Sequence, residues 1–596
     1  MILALLAGIA RADDAAADAP PAPPVDTPVD ASPAGAALPE AESSAPSPVS
    51  SLFSGVHGSE ELRIRYWHVP DKLTNFEDRN ILDYVEVVNR LDLTGGSPNV
   101  GVGARVDGVG LFANRYILDG QLEHERELLG AGLASPFEDA YFGLEKAWVE
   151  VRSPAVTFTA GDAYLSFGRG IALNTVKNTD IDVDTSLRGA RGVGHFGAWD
   201  VTIASGLTNP QQVALENPNL SLQPDVAHAV SGLRLDRYGL GAVNLGAHGV
   251  IFQYSRGYEE GKDGWRAYGQ PVDAWVAGGS VEALGVKGLD LYFEGDGFGY
   301  TAEEIPVKAG YALYGSLAAY PGRASILVEG RRNKDTEWAN TFSDNYELVS
   351  GPTLEYERVI TEDSSAAVNS NDITGGRARI DLRFGNPEKH VTLVPYASVA
   401  VFRDEDLSGL HFNRAGETIL HPIAGVQYIH EELHVLATAG QRVDVRDPMD
   451  DGTALGADRL LHADLDISVP LGGNLSLELA PSLMRYQWGV NPQQQTDFTD
   501  FSNTLALKVG APWAFLIYTD YSDNPLIQST GNLEGTLFGD AGEFLYGAAE
   551  VQWMPNSSTT LKAFYGAYRA GIRCAGGQCR QLPGFEGAKM SLTTTF

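Results

Sequence analysis

Several groups of residues in this 596-residue chain have types and spacings that chemistry could use. "HEELH" at 430–434 matches H-E-x-x-H, in which two histidines hold a metal ion and the glutamate acts as base. That chemistry needs a helix, which puts both histidines on one face. Here Leu433 to Thr438 alternate as a strand does, so His430, Glu431 and Glu432 fall in a short turn, with no third ligand indicated. Coincidence is expected. Cys574 and Cys579, in "CAGGQC", lie five positions apart around Gly576 and Gly577. In an exported chain that spacing favours a loop-closing disulfide, since a metal or redox centre would need more ligands nearby. Three acidic clusters, Asp180, Asp182 and Asp184, then Asp404, Glu405 and Asp406, then Asp447, Asp450 and Asp451, offer carboxylates that suit Ca²⁺ or Mg²⁺. None has the full twelve-residue calcium-loop spacing, and a solvated anionic surface is the favoured reading. No Ser/His/Asp set stands in a recognisable local context, so no enzyme and no cofactor is expected.

The remaining charged residues of interest fall on one face of alternating stretches: Arg63 and Arg65; Asp290 and Glu294; Arg377, Arg379 and Arg383; Asp464 and Asp466; and Glu478. A strand puts alternate side chains on opposite faces. In "RARIDLRF", Ala378, Ile380, Leu382 and Phe384 oppose the three arginines and Asp381. In "HADLDISVPL", Ala463, Leu465, Ile467, Val469 and Leu471 oppose His462, Asp464, Asp466 and Ser468. "LDLYFE" at 289–294, "WAFLIYTDY" at 513–521 and Leu62 to Trp67 repeat the pattern. The composition agrees: 67 Gly, 24 Tyr, 23 Phe and 9 Trp stand against 2 Cys and 5 Met. A net charge of -34 argues against a nucleic-acid partner, which would need an excess of Lys and Arg.

The chain opens on an apolar run, Met1 to Ala10, and Ala10-Arg11-Ala12 fits an A-x-A cleavage site. Residues 1–12 are therefore expected to be a signal peptide, although no Lys or Arg precedes the run. Residues 13–54 are mostly Ala, Pro, Ser and acid, which cannot bury enough apolar area to repay ordering. They are expected to form a disordered tail. Past the signal no apolar stretch of transmembrane-helix length occurs. An exported, alternating chain is then either a soluble sandwich or a membrane-spanning barrel.

The connections favour the barrel. Long links such as 523–543 and "GIRCAGGQCRQLPG" take turns with short ones such as "MPNSS", "GAP" and "LGGN" back to "GGSP" at 95–98. Transmembrane barrels have short turns on one side and long loops on the other. The expected fold is all-β: a transmembrane antiparallel barrel over 55–596, with about 26 strands in a range of 22–26. The last residues, "KMSLTTTF", resemble the terminal signal of bacterial outer-membrane barrels, with apolar alternation ending on an aromatic residue, here Phe596. That resemblance implies insertion by the barrel-assembly machinery, both chain ends in the periplasm, and lipid and lipopolysaccharide as surroundings. "AGDAYLSFGRGIALN" at 160–174 resembles the G-D-x-Y-x-x-F-G-x-G segment of a family of large barrels of unassigned function, through Gly161, Asp162, Tyr164, Phe167, Gly168 and Gly170.

With about 26 strands ~4.8 Å apart and tilted ~40°, the wall would be roughly 160 Å around and roughly 50 Å across. A bare hole of that width would leak, so loops must fold inward, the barrel must flatten, or something must fill it. The charged faces imply a watered lumen, because a charge facing lipid costs ~2–4 kcal/mol at mid-membrane. They could set an ion or solute field or simply pair across strands. The function expected is a channel or export pore for polar solutes or polymers. The alternative is a structural or assembly subunit of an envelope complex, with the N-terminal tail as partner handle. A TonB-type transporter is disfavoured, since about 40 low-complexity residues ahead of the barrel leave no room for a folded plug.

Overall fold

The computed structural model describes residues 55–68, 81–116, 140–178, 183–213, 227–254, 257–261, 264–268, 272–302, 305–336, 348, 372–386, 391–404, 417–446, 457–488, 496–524, 544–569, 571–575, 578–582 and 585–596. The expected signal peptide and tail lie outside these residues, as do Asp180, Asp182, Asp406, Asp447, Asp450 and Asp451.

Strands running from His57–His68 to Phe585–Thr595 pair antiparallel with their neighbours in one sheet, and the first and last of them pair with each other. The closed wall has 24 strands, within the expected range. The sheet holds 26 segments because Phe384–Asn386 prolongs Ile373–Leu382 and the short Lys177–Asn178 leans on Val183–Phe196. The break at Arg383 falls beside Pro395, which immediately precedes Tyr396, the partner of Asp381, and has no N–H to give the ladder. Closure matters because every backbone polar group of a strand in lipid needs a partner within the wall. Phe596 extends the seam: its N–H donates to the Gly58 carbonyl at 2.8 Å, and Gly58 N–H donates back at 2.7 Å.

Burial shows which way the strands face. Leu461, Leu471, Ile380, Leu291, Phe293, Trp513, Phe515 and Ile517 are exposed, whereas Arg65, Glu294, His462 and Asp444 are buried. A soluble sandwich would have the opposite arrangement, with apolar residues inside. In Val272–Val286 the first six residues alternate buried and exposed, with Val272, Ala274 and Val276 inside and Trp275 outside. Exposed aromatics flank the short links: Phe196 and Trp199 around 197–198, Tyr320, and Trp513 stacked at 6.0 Å on Trp553. They form a girdle of the kind that sits at a membrane interface. Strands joined by short links such as 197–198, 241–242 and 557–558 meet at the end where His57 and Phe596 lie, and strands joined by long links such as 117–139, 335–372 and 523–543 end at the other. The link 303–304 is a short exception at the long-loop end.

Candidate functional site

Between the wall neighbours Val156–Ala163 and Val183–Phe196 the chain leaves the wall and folds into the barrel. The departure starts at Gly161, whose φ of +101° and closeness to the Ala147 carbonyl (2.1 Å from where a Cβ would sit) leave room only for glycine. Asp162 follows, buried, and anchors the base of the segment. It accepts hydrogen bonds from Ala147 N–H at 2.7 Å, Ser186 Oγ at 2.9 Å, Asn209 Nδ2 at 2.7 Å and the Arg188 guanidinium at 3.1 Å. The Tyr164 hydroxyl donates to Asp184 Oδ1 at 2.7 Å.

Asp184 is the centre of a buried charge network. Its other oxygen accepts from Arg105 at 2.6 Å, Arg105 also grips Asp107 at 2.6 Å, and the Lys146 ammonium lies 3.6 Å away. Arg90 joins Asp107 at 3.3 Å and donates to the Val213 carbonyl at 2.8 Å. The segment base, four wall strands and residue 213 are thus tied together. The sequence reading placed Asp184 in a solvated acidic loop with Asp180 and Asp182. That is corrected here: Asp184 lies on the strand Val183–Phe196, and its charge is matched by cations of the wall.

Beyond Tyr164 the segment makes its own small ladder, Leu165–Phe167 against Leu173–Thr175, with Thr175 Oγ1 accepting from Leu165 N–H at 2.7 Å. Its tip turns through Gly168 and Gly170, both at positive φ. The tip reaches the strand Leu289–Ala302, five pairings along the wall from Val183–Phe196. There Arg169 N–H donates to Glu294 Oε2 at 2.9 Å, and the Arg169 guanidinium lies 4.0 Å over the Tyr292 ring. Phe167 packs where Gly232 has no side chain, since a Cβ there would stand 2.5 Å from its ring. Leu165, Phe167, Ile171, Ala172 and Leu173 join one buried apolar cluster with Phe252, Phe298 and Phe402 of the wall. Asn174 N–H donates to the Leu348 carbonyl at 2.8 Å. The segment therefore fills one side of the lumen, the first of the three ways in which so wide a wall could be obstructed.

The charged residues singled out from the sequence are placed around this feature. Arg65 is buried against Glu86, and Arg63 bonds Glu61 at 2.9 Å. Arg377 holds Glu329 at 2.7 Å, Arg379 holds Asp381 at 2.8 Å, and Lys508 holds Glu478 at 2.6 Å. Asp464 accepts from Ser482 Oγ at 2.7 Å. Asp466 is half-buried opposite Leu436. Asp290 accepts from Gly285 N–H at 2.7 Å and so closes a turn. Arg383 is exposed in the strand break, where its N–H donates to the Arg323 carbonyl at 2.8 Å. Ion pairing within the wall thus engages Arg63, Arg65, Arg377, Arg379 and Glu478 among these residues. The backbone register sets Cys574 directly opposite Cys579 in the hairpin Gly571–Ala575 and Gln578–Leu582. Asp404 ends the strand Val391–Asp404. His430 ends one strand, Glu431 turns at φ +53°, and Leu433 begins the next, so "HEELH" lies on no helix.

Sequence reasoning missed Arg105, Asp107, His248 and Asp296. A signal was present: Arg105, Arg234, Arg379 and Arg442 each pair with the aspartate two places on, at 107, 236, 381 and 444. An R-x-D repeat in a strand puts opposite charges side by side on one face.

A family of unknown function (DUF6029) matches residues 509–596. No curated protein matches the chain. Among solved structures, the siderophore receptor PirA from Pseudomonas aeruginosa is similar over 91% of this chain and 80% of its own, at 8% identity and a TM-score of 0.43. The FrpB iron transporter from Neisseria meningitidis is similar over 91% of this chain and 83% of its own, at 10% identity and a TM-score of 0.42.

Proposed function

We propose that this chain is an outer-membrane channel for polar solutes, narrowed on one side by residues 164–178. The observation that carries the reading is the clamped inward segment in a wall whose outer face is apolar and whose inner face is charged. A bare ring of 24 strands ~4.8 Å apart would still be roughly 48 Å across, so an unobstructed barrel would leak. An anchored obstruction converts that leak into a sized passage. Ion pairs such as Arg377–Glu329 and Lys508–Glu478 keep both signs at the water interface, which suits small polar solutes of either charge. In this reading the short turns face the periplasm, lipid and lipopolysaccharide surround the belt, the barrel-assembly machinery inserts the chain, and no bond is made or broken.

The buried cluster of Phe167, Phe252, Phe298 and Phe402 favours a second reading. Apolar packing inside a barrel also suits a closed scaffold that serves an envelope complex, with the N-terminal tail as handle. Planar-bilayer recording separates the two. Wild type is expected to give discrete conductance steps, and replacing 164–178 by a short Gly/Ser link is expected to enlarge them severalfold, as a cleared lumen would. Absence of current in both proteins would overturn the channel and leave the scaffold.

A further inference from the structure

Where the tip of the inward segment meets the wall, three metal-ligating side chains converge. His248 comes from the strand Val243–Tyr254, and Glu294 and Asp296 come from the same face of Leu289–Ala302. All three are buried, and one ligand atom from each lies within 4.8 Å of the others. We propose that they bind one divalent first-row transition cation of the zinc or manganese class.

His248 Nε2 stands 2.5 Å from Asp296 Oδ1 and 3.9 Å from Glu294 Oε1. A tetrahedral ion with bonds near 2.0–2.1 Å sets neighbouring donors about 3.3 Å apart, between those two distances. Sub-ångström shifts of the side chains would therefore complete the geometry. The hydrogen-bond count points the same way. Glu294 Oε1 and Asp296 Oδ2 are buried and have no hydrogen-bond partner among the described residues. Buried carboxylate oxygens are ordinarily satisfied, and an orphaned pair beside an imidazole nitrogen is what a missing cation leaves. Glycines hold the space open: a Cβ on Gly168 would fall 1.5 Å from Glu294 Oε1, and one on Gly278 would fall 2.0 Å from Asp296 Oδ1.

The donor set chooses the class of ion. One imidazole nitrogen with two carboxylates suits zinc, manganese or ferrous iron, whereas calcium and magnesium prefer all-oxygen shells. This site is separate from the acidic loop clusters, and it does not depend on passage through the barrel. It touches the inward segment because Glu294 uses its second oxygen to hold Arg169 N–H.

The test uses full-length protein in detergent, stripped with a chelator and titrated calorimetrically with Zn²⁺ and with Mn²⁺. About one equivalent of at least one ion is expected to bind. His248→Ala and Asp296→Asn should each weaken that binding at least about tenfold. His195→Ala, which removes an exposed histidine near a short turn, should leave it unchanged. Heat-modifiable mobility reports whether each variant has folded. Wild type loaded with Co²⁺ gives an independent measurement, since its visible bands report nitrogen and oxygen donors. Uptake by wild type of less than about a tenth of an equivalent of both ions would overturn the proposal, as would equal affinity in folded His248→Ala.

Discussion

Arg105 illustrates what an inward charge does in this wall. It is buried, it grips Asp107 along its own strand, and it reaches Asp184 at the root of the inward segment. Removing one member of a buried pair strands the others in a poorly solvated place, at a cost of about 3–5 kcal/mol. Arg105→Ala is therefore expected to lower the free energy of urea unfolding by about that much, read by heat-modifiable mobility across a urea series. The pair Arg485–Asp497, at 3.8 Å with both side chains more than half exposed, is the contrast. Asp497→Asn should change stability by less than about 1 kcal/mol. An unchanged Arg105→Ala midpoint would mean that water reaches the network freely. The inward direction of Arg65 or Arg379 was legible from alternation alone. The partner of Arg105 on another strand was not, because Asp184 lies 79 positions away in the chain.

At the scale of elements, the wall strands and the inward segment obey different rules. A wall strand is specified by a two-residue period that any part of the chain displays by itself. Residues 164–178 have no such period. Their Leu, Phe and Ile content marks them as buried, and their glycines mark tight turns, yet neither property says against what they pack. Gly168 carries the most direct test. Its φ is +64°, and a Cβ would overlap Glu294 Oε1. Gly168→Ala is expected to cost upwards of about 1 kcal/mol and to loosen the tip. Limited proteolysis should then cut within 164–178 faster than in wild type. Gly192→Ala is the matched control, because nothing lies within 4 Å of the added methyl group. Equal cleavage of the two variants would show that the tip contact is not what holds the segment.

For the whole molecule, the ordering of links predicts a topology. A tag at 527–540 should be reached from outside intact cells, and one at 555–558 should not, with surface labelling as the readout. The reverse pattern would turn the barrel over. Alternation and the rhythm of short and long links were enough to make a transmembrane barrel the expected fold, because lipid outside and water inside impose opposite demands on successive residues. The strand number was legible only to within a hairpin. The off-wall hairpin 257–268 is built like a wall hairpin within itself, and only hydrogen bonding to neighbours shows which belongs to the ring. The sequence by itself determined the period, the inward and outward faces, and that so wide a wall must be folded into, flattened or filled. The tertiary structure alone decided that 164–178 folds into the lumen, that Asp184 belongs to a buried network, and that His248 meets Glu294 and Asp296. A local period is written in adjacent residues, whereas each of these meetings depends on the register of strands far apart in the chain.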